Sequence, residues 1–271
     1  MLRVFGVILI LIAALIAWAA IDSRNIDVTR FTVSGAPEAF SGFKIVQISD
    51  LHNAEFGTDN QKLIDILKSE APDAIVITGD LIDARRTNTE IAESFARRCM
   101  EIADCYYVPG NHEARLGSTY DAFESALIAD GVNVLRNGSV RIRKEMDAIR
   151  IIGVDDPAFA KASDAITNLD AALEALSSDD FTILLAHRPE LIDEYSKWGI
   201  DLVLSGHAHG GQIRLPGIGG LYAPGQGFFP RYTSGNYTVG DTEMIVSRGI
   251  GNSAFPLRVN DRPEVVIVTL K

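Results

Sequence analysis

A chain of 271 residues, 47% hydrophobic and 23% charged, has material for one large or two small globular domains. Its net charge of −11 argues against general nucleic-acid binding, which needs a basic footprint. Phosphate substrates are not excluded, because bound cations invert the local field.

The stretch 4–21, VFGVILILIAALIAWAAI, carries no charge, with Arg3 before it and Asp22 after it. Eighteen apolar residues reach the length of a bilayer-spanning helix. An uncleaved single membrane anchor is the favoured expectation. A cleaved signal peptide, with Ala17-Trp18-Ala19 as a small-x-small site, and a buried helix of the soluble part are the alternatives. Basic residues on both sides (Arg3 against Arg24 and Arg30) leave the orientation open. Residues 22–30 form a polar tether.

From there apolar strand patterns alternate with helical ones. KIVQIS (44–49) predicts a strand and NQKLIDILKSE (60–70) a helix; AIVIT (74–78) predicts a strand and 89–102 a helix; CYYV (105–108) predicts a strand and 118–130 a helix. Short strands joined by turns such as Asn137-Gly138 follow over 132–154, then a helix over 164–176. FTILLA (181–186) predicts a strand, 189–198 a helix and DLVLS (201–205) a strand, with further strands at 242–247 and 264–270. The βα alternation predicts a mostly parallel sheet with helices on its faces. Residues 216–240, rich in glycine and aromatics, predict a long functional loop. Cys99 and Cys105 fit neither a redox nor a zinc motif and are expected to be structural thiols.

The polar residues that end these strands carry the chemistry. KIVQIS runs into Asp50-Leu51-His52, AIVIT into Gly79-Asp80, CYYV into Asn111-His112, FTILLA into His187, and DLVLS into Gly206-His207-Ala208-His209. In open α/β sheets that edge binds ligands. All five histidines of the chain fall in these segments. Taken singly each is a satisfied polar residue; taken together they argue for metal. Neutral imidazole and carboxylate suit Mn, Fe and Zn. Asp50, His52, Asp80, Asn111, His187, His207 and His209 would crowd a single ion, whereas two ions about 3.5–4 Å apart with a bridging carboxylate accommodate them.

The ordered set DLH, GDLID, GNHE, AH and GHAH resembles the calcineurin-like metallophosphoesterases from about residue 44 to the C-terminus. The stretch SGHAHGGQIRLP with the loop after it and the apolar N-terminus resemble the membrane-associated bacterial branch. Relatives there include cell-envelope phosphodiesterases and UDP-diacylglucosamine pyrophosphatases of lipid A synthesis. The resemblance implies a four-layer α/β sandwich of two mixed β-sheets flanked by helices, here with an N-terminal transmembrane helix. It divides the chain into an anchor or signal peptide (1–22), a tether and first strand (23–43) and a metallophosphoesterase domain (44–271).

It also implies two divalent transition-metal ions, with Mn favoured. Asp50, His52, Asp80 and His209 would hold the first, and Asp80 would bridge to the second, completed by Asn111, His187 and His207. His112 would be the general acid facing the substrate, with Asp83 fixing its tautomer. Glu113 stands where many members have Asp, a position expected to affect packing only. The implied activity is hydrolysis of a phosphodiester, pyrophosphate or phosphomonoester, a metal-bridging hydroxide attacking phosphorus in line. The substrate would be lipid-linked, as UDP-diacylglucosamine is, at a bacterial plasma membrane.

Arg188 and Arg231 are candidates for a further phosphate, against the alternative of plain surface charge. Phe228 and Phe229, with Leu221, Tyr222 and Tyr232, either receive an acyl chain or close the core beneath the loop. Two other functions compete. A decayed, non-catalytic scaffold of the same fold predicts missing ligands, and none is missing. A nuclease of the superfamily predicts basic stripes that the chain's charge does not supply.

Overall fold

The computed structural model describes residues 2–161, 164–176, 180–252 and 255–271. In chain order the elements are α1 (Leu2–Asp22), β1 (Asp27–Val33), β2 (Lys44–Ile48), α2 (Gln61–Glu70), β3 (Ala74–Thr78), α3 (Thr89–Met100), β4 (Asp104–Val108), α4 (Ser118–Ala129) and β5 (Asn133–Val134). β6 (Gly138–Lys144), β7 (Asp147–Gly153), α5 (Ala165–Leu176), β8 (Phe181–Leu185), α6 (Ile192–Tyr195) and β9 (Leu202–Ser205) follow. Four two-residue strands come next, β10 (Arg214–Leu215), β11 (Gly219–Gly220), β12 (Tyr222–Ala223) and β13 (Gly227–Phe228). The chain closes with β14 (Gly235–Val239), β15 (Thr242–Val246) and β16 (Glu264–Leu270).

Two six-stranded sheets result, ordered β1-β16-β2-β3-β4-β5 and β14-β15-β9-β8-β7-β6. In the first, β2 to β5 run parallel and β16 is antiparallel to β2. In the second, β7, β8, β9 and β15 run parallel between antiparallel edge strands β6 and β14. Both sheets are mixed, as the resemblance implies, whereas the βα alternation predicted one mostly parallel sheet with helices on its faces.

The strands that read as continuous apolar runs are those buried on both faces. Ile45, Val76 and Tyr106 of the first sheet pack against Ile183, Leu185, Leu204 and Ile245 of the second. The opposite face of the first sheet, with Val46, Ile48 and Ile77, is covered by Leu63 of α2, Phe95 of α3 and Phe123 of α4. On the far face of the second sheet, Leu184, Val203 and Met244 meet Leu169 and Leu173 of α5 and Ile192 and Tyr195 of α6. The layers are therefore helix, sheet, sheet, helix.

Three expectations need revision. The tether is shorter than 22–30, because β1 starts at Asp27 and pairs with β16 in register Asp27 to Glu264. The region 216–240 is not one loop: β10 pairs with β11, β12 pairs with β13, and Gly235–Val239 is an edge strand. Glycines and aromatics in two-residue strands give no periodic signal, which is why the sequence hides them. The apolar segment is helical, Leu2–Asp22, but among the described residues no helix is long and apolar enough to cross a membrane. The expected span is therefore not borne out.

Candidate metal centre

The C-terminal ends of β2, β3 and β4 in one sheet meet those of β8 and β9 in the other. Gln47 ties the two sheets there, donating from Nε2 to Ser205 O at 2.9 Å and Thr78 Oγ1 at 3.0 Å. As each strand ends, its chain bends sharply. Asp50, His52, Asp80, His207 and His209 all have positive φ, between 47° and 65°. Non-glycine residues rarely adopt that region, and such strain persists only where surrounding structure enforces it. Close approach of the loops does the enforcing. A Cβ on Gly110 would lie 2.7 Å from Asp80 N, and one on Gly206 would lie 2.5 Å from Asp50 Oδ2.

The seven ligand-type side chains are brought together and buried. Asp50, His52 and His209 form one group, and Asp80, His187 and His207 another. In the first, His52 Nε2 lies 3.2 Å from His209 Nε2, and His209 Nε2 lies 3.4 Å from Asp50 Oδ1. In the second, His187 Nε2 lies 3.1 Å from His207 Nδ1 and 3.3 Å from Asp80 Oδ2. Asp80 Oδ2 also lies 3.5 Å from His52 Nε2, which puts one oxygen between the groups.

The other carboxylate oxygens are held by protein. Asp80 Oδ1 accepts the His112 N–H at 2.8 Å, and Asp50 Oδ2 accepts Ser49 Oγ–H at 2.6 Å and His207 N–H at 3.0 Å. Among the described residues, Asp50 Oδ1 and Asn111 Oδ1 are buried without a hydrogen-bond partner. Buried acceptors left unpaired beside facing imidazole nitrogens fit a site for cations. His52, Asp80 and His112 make a third grouping of the same kind.

The electrostatics agree. Burial pushes His52 down to about 3 and holds His207 and His209 well below the ordinary histidine range, so these rings are neutral donors. Burial also pushes Asp50 up to about 6, with the Asp80 charge adding to it. His187 goes the other way: burial opposes its charge, but Asp80 prevails and raises it to about 10. Asp80 is correspondingly held well below the carboxylate range, against its burial, by His187.

Several partners of this centre are silent in the sequence. Glu113 is fully buried and accepts three backbone N–H groups, Gly110 N at 2.8 Å, Asp80 N at 2.9 Å and Ile82 N at 3.0 Å. It clamps two of the ligand loops together, a larger part than packing. Arg258, also buried, places Nη2 3.4 Å from His209 Nδ1 and is held by Gly251 O, Arg248 O and Asn252 Oδ1.

His112 sits beside the cluster, its ring centroid 4.5 Å from that of His52. Its Nδ1 accepts the Ala84 N–H at 3.0 Å, which leaves the proton of the neutral ring on Nε2. Asp83 Oδ1 lies 3.4 Å from Nδ1 and takes the Arg85 N–H at 2.9 Å. The neutral tautomer is therefore set by a backbone amide, with Asp83 beside it as a charge. Burial lowers the His112 pKa, with Asp80 and Asp83 opposing.

A cavity of about 370 Å³ opens over the centre, lined by Asp80, Asn111, His112, His207 and His209, by Arg85, Arg115 and Arg188, and by Tyr222, Pro224 and Gly225. Arg188 reaches it, although its guanidinium is bound to Asp156 at 2.8 and 3.1 Å. Arg231 does not line it and lies 4.9 Å from the Tyr232 ring. Phe228 and Phe229 also stand outside the lining, 71% and 63% exposed, while Tyr232 is buried. The aromatics thus divide between surface and core. Tyr222 meets Phe228 edge-on at 5.3 Å and carries the surface group to the cavity mouth.

Known proteins resemble this chain in sequence and in fold. The family model for calcineurin-like phosphoesterases matches residues 43–211, more than half of the chain. The metallophosphoesterase YkuE of Bacillus subtilis is 33% identical over 258 residues, covering 93% of this chain and 87% of its own. A zebrafish (Danio rerio) transmembrane protein with a metallophosphoesterase domain is 28% identical over 264 residues, covering 93% of this chain and 58% of its own. Among solved structures, TT1561 of Thermus thermophilus superposes with a TM-score of 0.54 at 16% identity, over 78% of this chain and 91% of that one, a likeness of fold alone. The chain belongs to the calcineurin-like phosphoesterase family and is a metal-dependent phosphoric ester hydrolase.

Proposed function

We propose that the chain hydrolyses a phosphodiester or pyrophosphate bond in a substrate with an apolar portion. The observation that carries this is the cavity: a wall with three arginines over a floor of metal-ligand side chains, in a chain of net charge −11. Arg85 and Arg188 are paired with Asp83 and Asp156, but three guanidiniums on one wall still offer N–H donors that suit a ligand with more than one anionic oxygen. Asp50, His52, Asp80 and His209 would hold one cation, and Asp80, Asn111, His187 and His207 the other. Mn is the favoured metal for this nitrogen and oxygen donor set, with Fe and Zn as competitors. When bound, the cations supply the Lewis acidity that acidifies water and offsets phosphate charge.

The chain's own residues do the rest. Arg85 and Arg115 orient the phosphate from the cavity wall. With substrate bound, His112 donates its Nε2 proton to the departing oxygen, and Arg85, whose Nη2 lies 3.3 Å from that nitrogen, turns its N–H groups to the same phosphate. The apolar portion lies along Tyr222 and Phe228. Ile218, Phe228 and Phe229 are exposed in the region 216–240 that carries Tyr222, and Phe5, Ile10, Trp18 and Ile21 are exposed on α1. Large exposed apolar groups mark interaction sites, and both sets suit a lipid surface. The setting is then a bacterial membrane surface and the substrate lipid-linked, of which UDP-diacylglucosamine is one example.

Hydrolysis of bis-p-nitrophenyl phosphate, with and without Mn²⁺, tests the core of this reading. Turnover should need the metal, and His112→Ala should lower the rate on the order of 10²–10⁴-fold for poor leaving groups and less for p-nitrophenol. Equal losses for both kinds of leaving group would remove His112 from the acid role. Phe228→Ser with Phe229→Ser should impair a lipid-linked pyrophosphate far more than the small diester. Equal impairment of the two would sink the apolar-substrate part alone.

A further inference from the structure

His207 meets the second ligand group through Nδ1, 3.1 Å from His187 Nε2. Its other nitrogen, Nε2, is buried and has no hydrogen-bond partner among the described residues. A ring that gives its Nδ1 lone pair to a cation must carry its proton on Nε2. That proton needs an acceptor, since a buried donor left unpaired is costly. For His187 the corresponding acceptor is plain, Thr78 O at 2.7 Å from Nδ1. For His207 it has to come from elsewhere.

The carboxylate of Glu190 lies there. Its Oε1 is 3.9 Å from His207 Nε2, and its Oε2 is buried without a partner. Two neighbours fix its place. Arg188 Nη1 lies 3.5 Å from Oε1, while the same guanidinium holds Asp156 through Nε and Nη2. Gly225 presses on it from the other side, where a Cβ would run into the carboxylate. Buried Asp156, Arg188, Glu190 and His207 thus form a chain of contacts that ends at the second group. The loop that carries Tyr222 rests on it.

We propose that Glu190 is a positioning residue. Its carboxylate accepts the Nε2–H of His207 and holds the ring in the tautomer that presents Nδ1 to the second cation. Carboxylate partners of this kind orient metal-bound imidazoles and raise their basicity, and losing one costs about 10–100-fold in metal affinity. The proposal rests on the metal-site reading given above. It adds that a carboxylate stands behind one imidazole of the second site. It also ties the cavity-mouth loop to the second site through Gly225.

The test is calorimetric titration of the metal-free full chain with Mn²⁺, with melting of the metal-free protein measured alongside. The unaltered chain should take up two cations. Glu190→Ala should weaken one of them about 10–100-fold and leave the other and the metal-free melting temperature unchanged. Glu190→Gln keeps an acceptor oxygen and should restore most of that affinity. In the Zn-loaded protein, nitrogen NMR should find His207 protonated on Nε2. Unchanged binding by Glu190→Ala would overturn the proposal. So would parallel weakening of both sites with a lower metal-free melting temperature, which is what a merely structural role predicts. His207→Ala separates the two levels. If it still binds two cations, the metal-site reading falls and the proposal with it; if it loses one while Glu190→Ala does not, only Glu190 loses its role.

Discussion

At the residue scale, Glu113 and His187 make the sharpest predictions. Glu113 takes three backbone N–H groups on two oxygens. An amide keeps one oxygen and turns an N–H donor against the others. Glu113→Gln should therefore destabilise the protein by about 1–3 kcal/mol, read as a lower urea midpoint at unchanged slope. His187 is raised to about 10 by Asp80 before any cation binds. Metal ligands must be deprotonated, so uptake near pH 7 should release close to one proton from this ring. Asp50, pushed up to about 6 by burial, is mostly ionised at pH 7 and adds a second proton only as pH falls through 6. Affinity should then weaken as pH falls, most steeply through pH 6. Calorimetry in two buffers of different ionisation heat measures the released protons, and a release of zero would contradict this account.

At the element scale, the site exists because loops after β2, β3, β4, β8 and β9 are pressed together at glycines. Gly206, which follows β9, touches the end of β2: a Cβ there would collide with Ser49 Oγ and lie 2.5 Å from Asp50 Oδ2. Gly206→Ala should displace Asp50, cost about 1–3 kcal/mol as overpacking does, and weaken the first cation more than the second. Gly138, in β6, has only Arg136 O nearby, at 3.8 Å. Gly138→Ala should be neutral or slightly stabilising. Comparing the two melting curves, and their Mn²⁺ titrations, separates crowding at the site from a general glycine effect.

At the scale of the whole molecule, α1 is attached to the body lightly. Ala19 is buried, Asp22 pairs with Arg262 at 2.7 Å, and Phe5, Ile10 and Ile21 face outward. A half-exposed ion pair is worth about 0–1 kcal/mol. Removing residues 1–22 should therefore leave the melting transition and the Mn²⁺ stoichiometry nearly intact. It should also abolish co-sedimentation with neutral phosphatidylcholine vesicles, if α1 is what meets lipid. A large fall in melting temperature would show that α1 is part of the core instead.

The order of β2 to β9 with their helices, β15, β16 and the seven ligand-type residues were legible in the linear chain. Strands buried on both faces must be apolar throughout, so a polar cluster at the end of each run stands out without any knowledge of its neighbours. β1 and β14 were harder to read, because their half-exposed residues break the apolar pattern. The clamp by Glu113, the guanidinium of Arg258 behind His209 and the carboxylate of Glu190 behind His207 were not legible at all. Each is an ordinary charged residue locally, and its part depends on a loop from another element. Likewise, Arg85 and Arg115 reach the cavity and Arg231 does not, though all three look alike as sequence. The residue types determined which chemistry was available. Only the meeting of two sheet edges decided which of those residues share it, because an imidazole acquires its ligand geometry and its acceptor from groups far away in the chain.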